Sequence, residues 1–398
     1  MTRTVSTAVL WAIETAFGQR PDSDRALLAA GVTALSQGFT KAPRLCGQRY
    51  LDQPDLLPAY LRYYLPVNLA KVQSLLDELP GDALTDQEAA PLRLLDIGSG
   101  PGTASLALLD WLVERKAEAV EVETVACDHS SAALSEARTV WDLYVRHQQV
   151  RAARLAARRM NLERTAELRA LCSGKSGRFH LVCLANSLNE LFNDARDPVE
   201  RRCQMIQRLL EVLRPDGSLI IMEPALRDPT RALHRLRDLL LKTSACTIYS
   251  PCLHEDACPA LHHPEDWCHE ERAWSPPAEI SRLDRQVGFI KDSLKFSYLI
   301  LRKDGRTVVR RDRQLLRIVS ERREFKGETR VWTCSGAGRL EVGRLDRERS
   351  GSNAEFDQAE RGAIMRWRQA DDDALTTGMG RVLRVRTSDL ITIERPTG

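Results

Sequence analysis

Hydrophobic spacing changes character near residue 90 of this chain. Before that point, ALLAAGVTALSQGF and YLRYYLPVNLAKVQSLLDEL repeat apolar residues at i, i+3, i+4 and i+7, the period of amphipathic helices. Pro66 lies in the second run and marks a helix start or break, because proline has no N–H to give to the helical ladder. From Arg93 the pattern becomes strand, turn and helix in alternation. LRLLDIG predicts a buried strand, SGPG a tight turn and TASLALLDWLVERKA an amphipathic helix. VEVETVACD predicts a second strand, followed by a long helix, SSAALSEARTVWDLYVRHQQ, capped by Ser130 or Ser131. RFHLVCLANSLNEL gives a further strand ending at Asn186. Then come a helix (PVERRCQMIQRLLEVL), a turn (RPDG) and a strand (SLIIMEP). Such alternation predicts an α/β fold with a parallel sheet covered on both faces, its ligands held at the carboxyl ends of the strands.

The rhythm breaks at residues 246–276, where Pro251, Pro259, Pro264 and Pro276, with Pro277 just beyond, predict a loop-rich insertion. FSYLILRK then returns to strand character. QLLRIVSERREF, RVWTCSGAGRLEVGRLD and GRVLRVRTSDLITIE are β-like runs separated by turn residues. The expected organisation is a helical region over 1–90, a sheet domain over 91–303 and a small, basic, mostly β appendage over 304–398.

Composition narrows the class. With 398 residues, 43% hydrophobic and 28% charged, the chain is expected to be soluble and globular. No stretch approaches the roughly 20 apolar residues of a membrane-spanning helix, so no membrane partner is expected. Glu14, Asp22 and Asp24 near the N-terminus argue against a signal or transit peptide, which makes a cytoplasmic location the expectation. In that setting ten cysteines do not imply a disulfide framework. Cys127, Cys183 and Cys203 fall in strand- or helix-like runs and read as small core residues. The net charge of +3 conceals local imbalance: residues 138–170 hold 8 Lys/Arg against 3 Asp/Glu, and residues 280–350 hold 19 against 10. Most are arginines, which suit bidentate phosphate contact, so these segments point to nucleic acid.

The turn Asp96-Ile-Gly98-Ser99-Gly100-Pro-Gly102 follows a hydrophobic strand and opens a helix. Its G-x-G-x-G spacing, with an acid two residues before the first glycine, differs from the G-x-G-x-x-G of dinucleotide-binding turns. It resembles motif I of class I S-adenosylmethionine-dependent methyltransferases. The resemblance implies that Asp96, Gly98, Ser99, Gly100 and Gly102 form the S-adenosyl-L-methionine site and that Asp128, ending the next strand, takes the ribose hydroxyls. The fourth strand ends in ANSLNEL, where many methyltransferases hold the acceptor. Asn186, Asn189 and Glu190 are therefore the catalytic candidates, and Asn186 also a cofactor contact or simply a cap for the next helix. This strand end carries neither a D/N-P-P-Y/F motif nor a Pro-Cys nucleophile.

Three cysteines, Cys252, Cys258 and Cys268, are spaced C-x₅-C-x₉-C, and Cys334 follows much later. No C-x₂-C pair favours a zinc ribbon, although His254, His262, His263 or His269 could complete a Cys₃His zinc site. An iron–sulfur cluster tolerates looser spacing because it is larger than one ion. PCLHEDACP followed by WCH is similar to the P-C-x-H-x-x-x-C-P…W-C-H signature of an Rsm-type small-ribosomal-subunit methyltransferase-like family. The likeness also runs through YLRYYLPVNLAKV, LLDIGSGPGT, NSLNEL and LRPDGSLIIMEPALRDPTRALHRLRD. It implies a class I methyltransferase-like fold and a [4Fe-4S] cluster on Cys252, Cys258, Cys268 and Cys334. It also implies small-subunit ribosomal RNA as partner, through either methyl transfer or assembly. A small-molecule methyltransferase with structural zinc is the alternative.

Overall fold

A computed structural model describes residues 2–18, 23–40, 49–81, 84, 91–117, 120–173, 179–289, 292–369 and 382–394. The boundary expected at residue 90 lies outside these. Helices α1 (Thr7–Phe17) and α2 (Ser23–Thr40) come first. A helical run follows, comprising Leu57–Ala59, a π-turn at Tyr60–Tyr64 and α3 (Leu65–Leu76). Pro66 sits in the first turn of α3, directly after the wider turn. Its missing N–H would have continued the i→i−4 ladder, and the π-turn carries the helix past that gap.

The sheet domain comprises β1 (Leu92–Ile97), α4 (Thr103–Glu114), β2 (Val122–Asp128), α5 (Ser131–His147), β3 (Ala153–Arg159) and α6 (Thr165–Cys172). It continues with β4 (Phe179–Ala185), α7 (Pro198–Val212), β5 (Leu213–Pro224), α8 (Arg227–Thr243) and β6 (Thr247–Ser250). Strand β7 (Glu270–Ala273), α9 (Ala278–Val287) and β8 (Ser293–Arg302) complete it. The strand order is β3-β2-β1-β4-β5-β8-β6, with β7 also paired to β8.

The first five strands in that order are parallel, but β8 runs antiparallel to β5, β6 and β7. The sheet is mixed, which corrects the expectation of a parallel one; an unbroken apolar run such as FSYLILR does not encode strand direction. The RPDG segment is no separate turn either. It lies inside β5, where the register against β4 shifts between Phe179 and Leu181.

One face of the sheet is covered by α1 to α5 and α9 in a continuous core that runs from Val5 to Ile300, so the N-terminal helices form a layer of the sheet domain. The other face is covered mainly by α7 and α8, through residues such as Ile206, Leu209, Leu233 and Leu240.

A second sheet is built from β9 (Leu315–Ile318), β10 (Arg323–Phe325), β11 (Glu328–Ser335), β12 (Gly338–Leu345), β13 (Ile364–Arg368), β14 (Leu383–Val385) and β15 (Leu390–Glu394). Its order is β14-β12-β11-β9-β13-β15, with β10 on β11, around its own core of Val331, Val342, Phe356 and Met365. The two sheets meet at the cysteine loop, where Leu253 packs on Leu315 and Ile364. A buried ionic chain reinforces the junction: Arg317 of β9 pairs with Glu270 of β7, and Arg272 contacts both Glu270 and Glu78. No helix among the described residues is long and apolar enough to cross a membrane.

Candidate active site and cysteine cavity

Strand β1 delivers the chain into the 98–102 turn, where Gly98 has φ +64° and Gly100 φ +50°. That left-handed backbone suits glycine. A Cβ on Gly98 would also lie 2.3 Å from Cβ of Ser187. Asp96 does not face the cleft beside this turn. Its Oδ2 accepts hydrogen bonds from Ser105 N–H at 3.0 Å and Ser105 Oγ–H at 2.7 Å, which fixes the start of α4 to β1. Burial pushes its carboxyl up to about 6, against the pull of the Ser105 bonds.

Asp128 does face the cleft. Gly100 N–H donates to its Oδ2 and Ser130 N–H to its Oδ1, each at 2.8 Å. Ser130 in turn caps α5 by accepting from Ala133 N–H at 3.0 Å, and its hydroxyl donates to Asp52 at 2.6 Å. The capping role expected for Ser130 or Ser131 falls to Ser130, and it ties the N-terminal layer to the site.

The cleft has a volume of about 490 Å³. Of the residues expected there, Gly98, Gly100, Asp128, Asn186 and Glu190 line it, whereas Asp96, Ser99, Gly102 and Asn189 do not. Ser99 is buried, its N–H donating to Cys127 C=O. Gly102 opens α4 in left-handed backbone. Asn189 donates its backbone N–H to Glu223 at 3.3 Å, and its carbonyl accepts from Arg202 Nη2–H at 3.1 Å.

Asn186 has φ +56°, and its N–H donates to Met222 C=O at 2.7 Å. The turn that follows shows no side-chain cap, which corrects the capping alternative for this residue. Tyr50 Oη–H donates to Glu190 at 3.4 Å. Burial, and then the nearby Asp128 carboxylate, push Glu190 up to about 7. Behind it, buried Glu223 accepts from Leu188 N–H at 3.0 Å and is pushed by burial up to about 8.

Sequence reasoning missed Tyr50, Tyr60, Arg159 and Glu163, all of which line the cleft. Tyr60 was legible only as helix periodicity, and Tyr50 lies outside both periodic runs. Arg159 ends a strand whose sequence, ARLAARR, carries weak β character.

The second cavity, of about 60 Å³, lies where β6 and β7 share the outer edge of β8. Cys252, Cys258 and Cys268 reach it from the loop between β6 and β7, and Cys334 from β11. Cys258 N–H donates to Asp238 at 3.0 Å and Cys268 N–H to His234 Nε2 at 3.2 Å, so α8 shapes the loop. Cys334 Sγ lies 3.6 Å from His254 Nε2. Burial raises the thiols first, to about 12 for Cys258 and about 11 for Cys268, and Cys334 is raised too; neighbouring cysteines add to each shift. His254 and His269 line this cavity, while His262 and His263 are exposed. Among the described residues, no group of three or more His, Cys, Asp or Glu side chains is placed to hold a metal ion.

A family model described as mitochondrial small ribosomal subunit Rsm22 matches residues 56–363. No curated protein matches the sequence. Solved structures similar to the chain include the sugar N-methyltransferase KedS8 from Streptoalloteichus sp ATCC 53650, at 14% identity and a TM-score of 0.24. That match covers 39% of this chain and 47% of the other, so the chain spans about half of that relative's length. The plantazolicin methyltransferase BpumL, bound to a monoazolic desmethylPZN analog and SAH, is 12% identical at a TM-score of 0.36, covering 71% of this chain and 98% of its own. An O-methyltransferase family protein from Burkholderia thailandensis is 16% identical at a TM-score of 0.32, covering 72% and 70%.

Proposed function

Since the chain belongs to the Rsm22 family, we propose that it binds S-adenosylmethionine beside the 98–102 turn and acts in the cytoplasm on the RNA of the small ribosomal subunit. The observation that carries the cofactor reading is the placement of Asp128. Each of its oxygens already accepts one backbone N–H. A carboxylate oxygen has a second lone pair, so this one remains able to receive both hydroxyls of a ribose diol and would repel a phosphate there. When bound, the cofactor supplies an electrophilic methyl group. For its part, the chain offers Glu190, raised to about 7, a value suited to holding or releasing an acceptor's proton near neutral pH. Asn186 presents its side chain to the same cleft from a backbone fixed to Met222.

The cysteine cavity belongs to the same reading. Cys252, Cys258, Cys268 and Cys334 would hold a [4Fe-4S] cluster, a structural group that joins the loop between β6 and β7 to the second sheet. The donor set and its surroundings support an anionic, thiolate-held group. Arg237, Arg317 and Arg339 line the cavity, and Arg317 Nη1 and Arg339 Nε are buried with no hydrogen-bond partner among the described residues. Such donors are costly unless something accepts from them.

Calorimetry with S-adenosylhomocysteine tests the first part: micromolar binding by wild type and its loss in Asp128→Ala support it, and no binding by wild type sinks it. Mapping of small-subunit RNA methylation in a deletion strain, complemented by wild type or by Gly100→Arg, separates enzyme from assembly factor. Maps that differ make it an enzyme. Identical maps with a persistent assembly defect make it a factor that keeps the pocket.

A further inference from the structure

The sequence holds two arginine-rich segments, and the fold treats them in opposite ways. In the 280–350 segment, carboxylates neutralise most of the charge inside the molecule. Arg302 pairs with Asp304, Arg311 with Glu255, Arg317 with Glu270, Arg323 with Glu341, Arg330 with Glu328 and Arg339 with Asp266. Arg323–Glu341 and Arg330–Glu328 lie within the second sheet, Arg311–Glu255, Arg317–Glu270 and Arg339–Asp266 fasten it to the cysteine loop and β7, and Arg302–Asp304 closes the end of β8.

The 138–159 stretch behaves differently. Arg138, Arg146, Arg151, Arg154, Arg158 and Arg159 are all exposed. Among the described residues no carboxylate oxygen lies within 4 Å of their guanidinium groups; the hydrogen bonds seen go to backbone carbonyls, as from Arg138 to Ala157 at 2.9 Å and from Arg159 to His129 at 3.2 Å. Strand β3 ends the sheet, with β2 as its neighbour. Its run of arginines leads to the cleft, which Arg159 itself lines.

Resting on the reading that this protein acts on ribosomal RNA, we infer that the α5–β3 edge is its RNA-backbone surface and that the second sheet is not. Unpaired guanidiniums forfeit no internal ion pair when they meet phosphate, and they release counterions when they do so. Positive charge on an edge strand also discourages strand pairing. That role requires neither arginines on α5 nor one at the rim of the cleft. Arg154 and Arg158 lie on one side of the strand, about 13 Å apart at the usual rise per residue. An RNA strand laid along them has its next nucleotides at the cleft mouth, where Arg159 receives them.

The test measures binding of the full chain to in vitro transcribed small-subunit ribosomal RNA across a salt series. Arg154→Gln/Arg158→Gln is expected to lower the slope of log affinity against log salt by about 2 and to weaken binding at least about tenfold near physiological salt. Arg154→Lys/Arg158→Lys should restore most of the slope. Arg323→Gln/Arg330→Gln should leave the slope at its wild-type value. Unchanged affinity for S-adenosylhomocysteine controls for folding, and Arg151→Gln, just before β3, should lower the slope by about 1 if the double variant does not fold. Wild-type slopes in the edge variants, or a reduced slope in the second-sheet variant alone, overturn the inference while leaving the proposed function standing. Absence of RNA binding by the wild type removes both.

Discussion

The carboxylate of Asp128 accepts a hydrogen bond from the backbone N–H of Gly100 across 2.8 Å, joining the ends of two neighbouring strands at the floor of the cleft. The side chain that would meet the cofactor is thus also one that shapes the turn. Asp128→Ala should weaken S-adenosylhomocysteine by about 10- to 100-fold, the range for losing charge-assisted hydrogen bonds. Asp128→Asn keeps one acceptor and should fall between the two. Calorimetric titration reads both. Equal affinity in all three proteins would contradict the assignment.

Gly98 and Ser187 compete for the same space. Because a Cβ on Gly98 meets that of Ser187 at 2.3 Å, and φ is +64°, Gly98→Ala should cost about 1–3 kcal/mol of stability. Adding Ser187→Gly relieves the contact but not the backbone strain, so it should recover only part of the loss. Denaturant unfolding of both single variants and the double variant measures this coupling. Strict additivity would show that the clash plays no part.

The stability contributed by Glu190 and Glu223 should fall as pH rises from about 5 to 8. Glu190 and Glu223 have an ordinary value of 4.5 but are raised to about 7 and about 8 in the folded protein. Between those limits the folded chain binds more protons than the unfolded one, so added base favours unfolding. Glu223→Gln should flatten the slope and still accept one of the two N–H groups that Glu223 takes from Leu188 and Asn189. Thermal melts at several pH values check the sign. A slope as steep in Glu223→Gln as in wild type would refute it.

His180 works in the other direction. Buried, with Nδ1 accepting from Arg93 N–H at 3.0 Å, it is held down to about 4. The stability it contributes as a neutral ring is present above its ordinary value of 6.5 and is lost as pH falls from there through about 4. NMR titration of its ring should show no protonation at pH 5.5.

Glu270 should prove indispensable to the junction between the sheets. It is buried between Arg317 and Arg272. Removing one partner of such a group leaves buried charge unmatched, at about 3–5 kcal/mol. Glu270→Ala should therefore loosen the second sheet, seen as faster amide exchange in β9 and β11. Metal analysis of anaerobically purified protein adds a separate check: four irons per chain, lost in Cys252→Ser and Cys334→Ser alike, fit the cluster, whereas one zinc removes it.

The glycine turn, Asp128 and the cysteine loop were legible because each is a local pattern with its own physical demand. The floor of the cleft could be read from LLDIGSGPG and VACD. Its roof could not: Tyr60 arrives from a run whose only signal is helical spacing, Tyr50 from a stretch outside any periodic run, and the π-turn at Tyr60–Tyr64 is not encoded in that spacing. Neither was the division of labour among acids. Asp96 and Asp128 look equivalent in sequence, yet one turns inward to Ser105 and the other faces the cleft. Charge counts likewise gave both arginine-rich segments the same meaning, since pairing partners such as Glu270 and Asp266 lie far away along the chain.

The cysteine cavity takes its four thiols from two stretches of polypeptide, three from the loop that ends its set at Cys268 and one from β11 at Cys334. During synthesis the loop emerges first and must wait, at about 5–20 residues per second, for several seconds while the next strands are made. Whatever the cavity accepts can be fully enclosed only after β11 has left the ribosome and docked. Full enclosure therefore requires a chain made beyond its first sheet, and a product truncated before β11 leaves the loop thiols open.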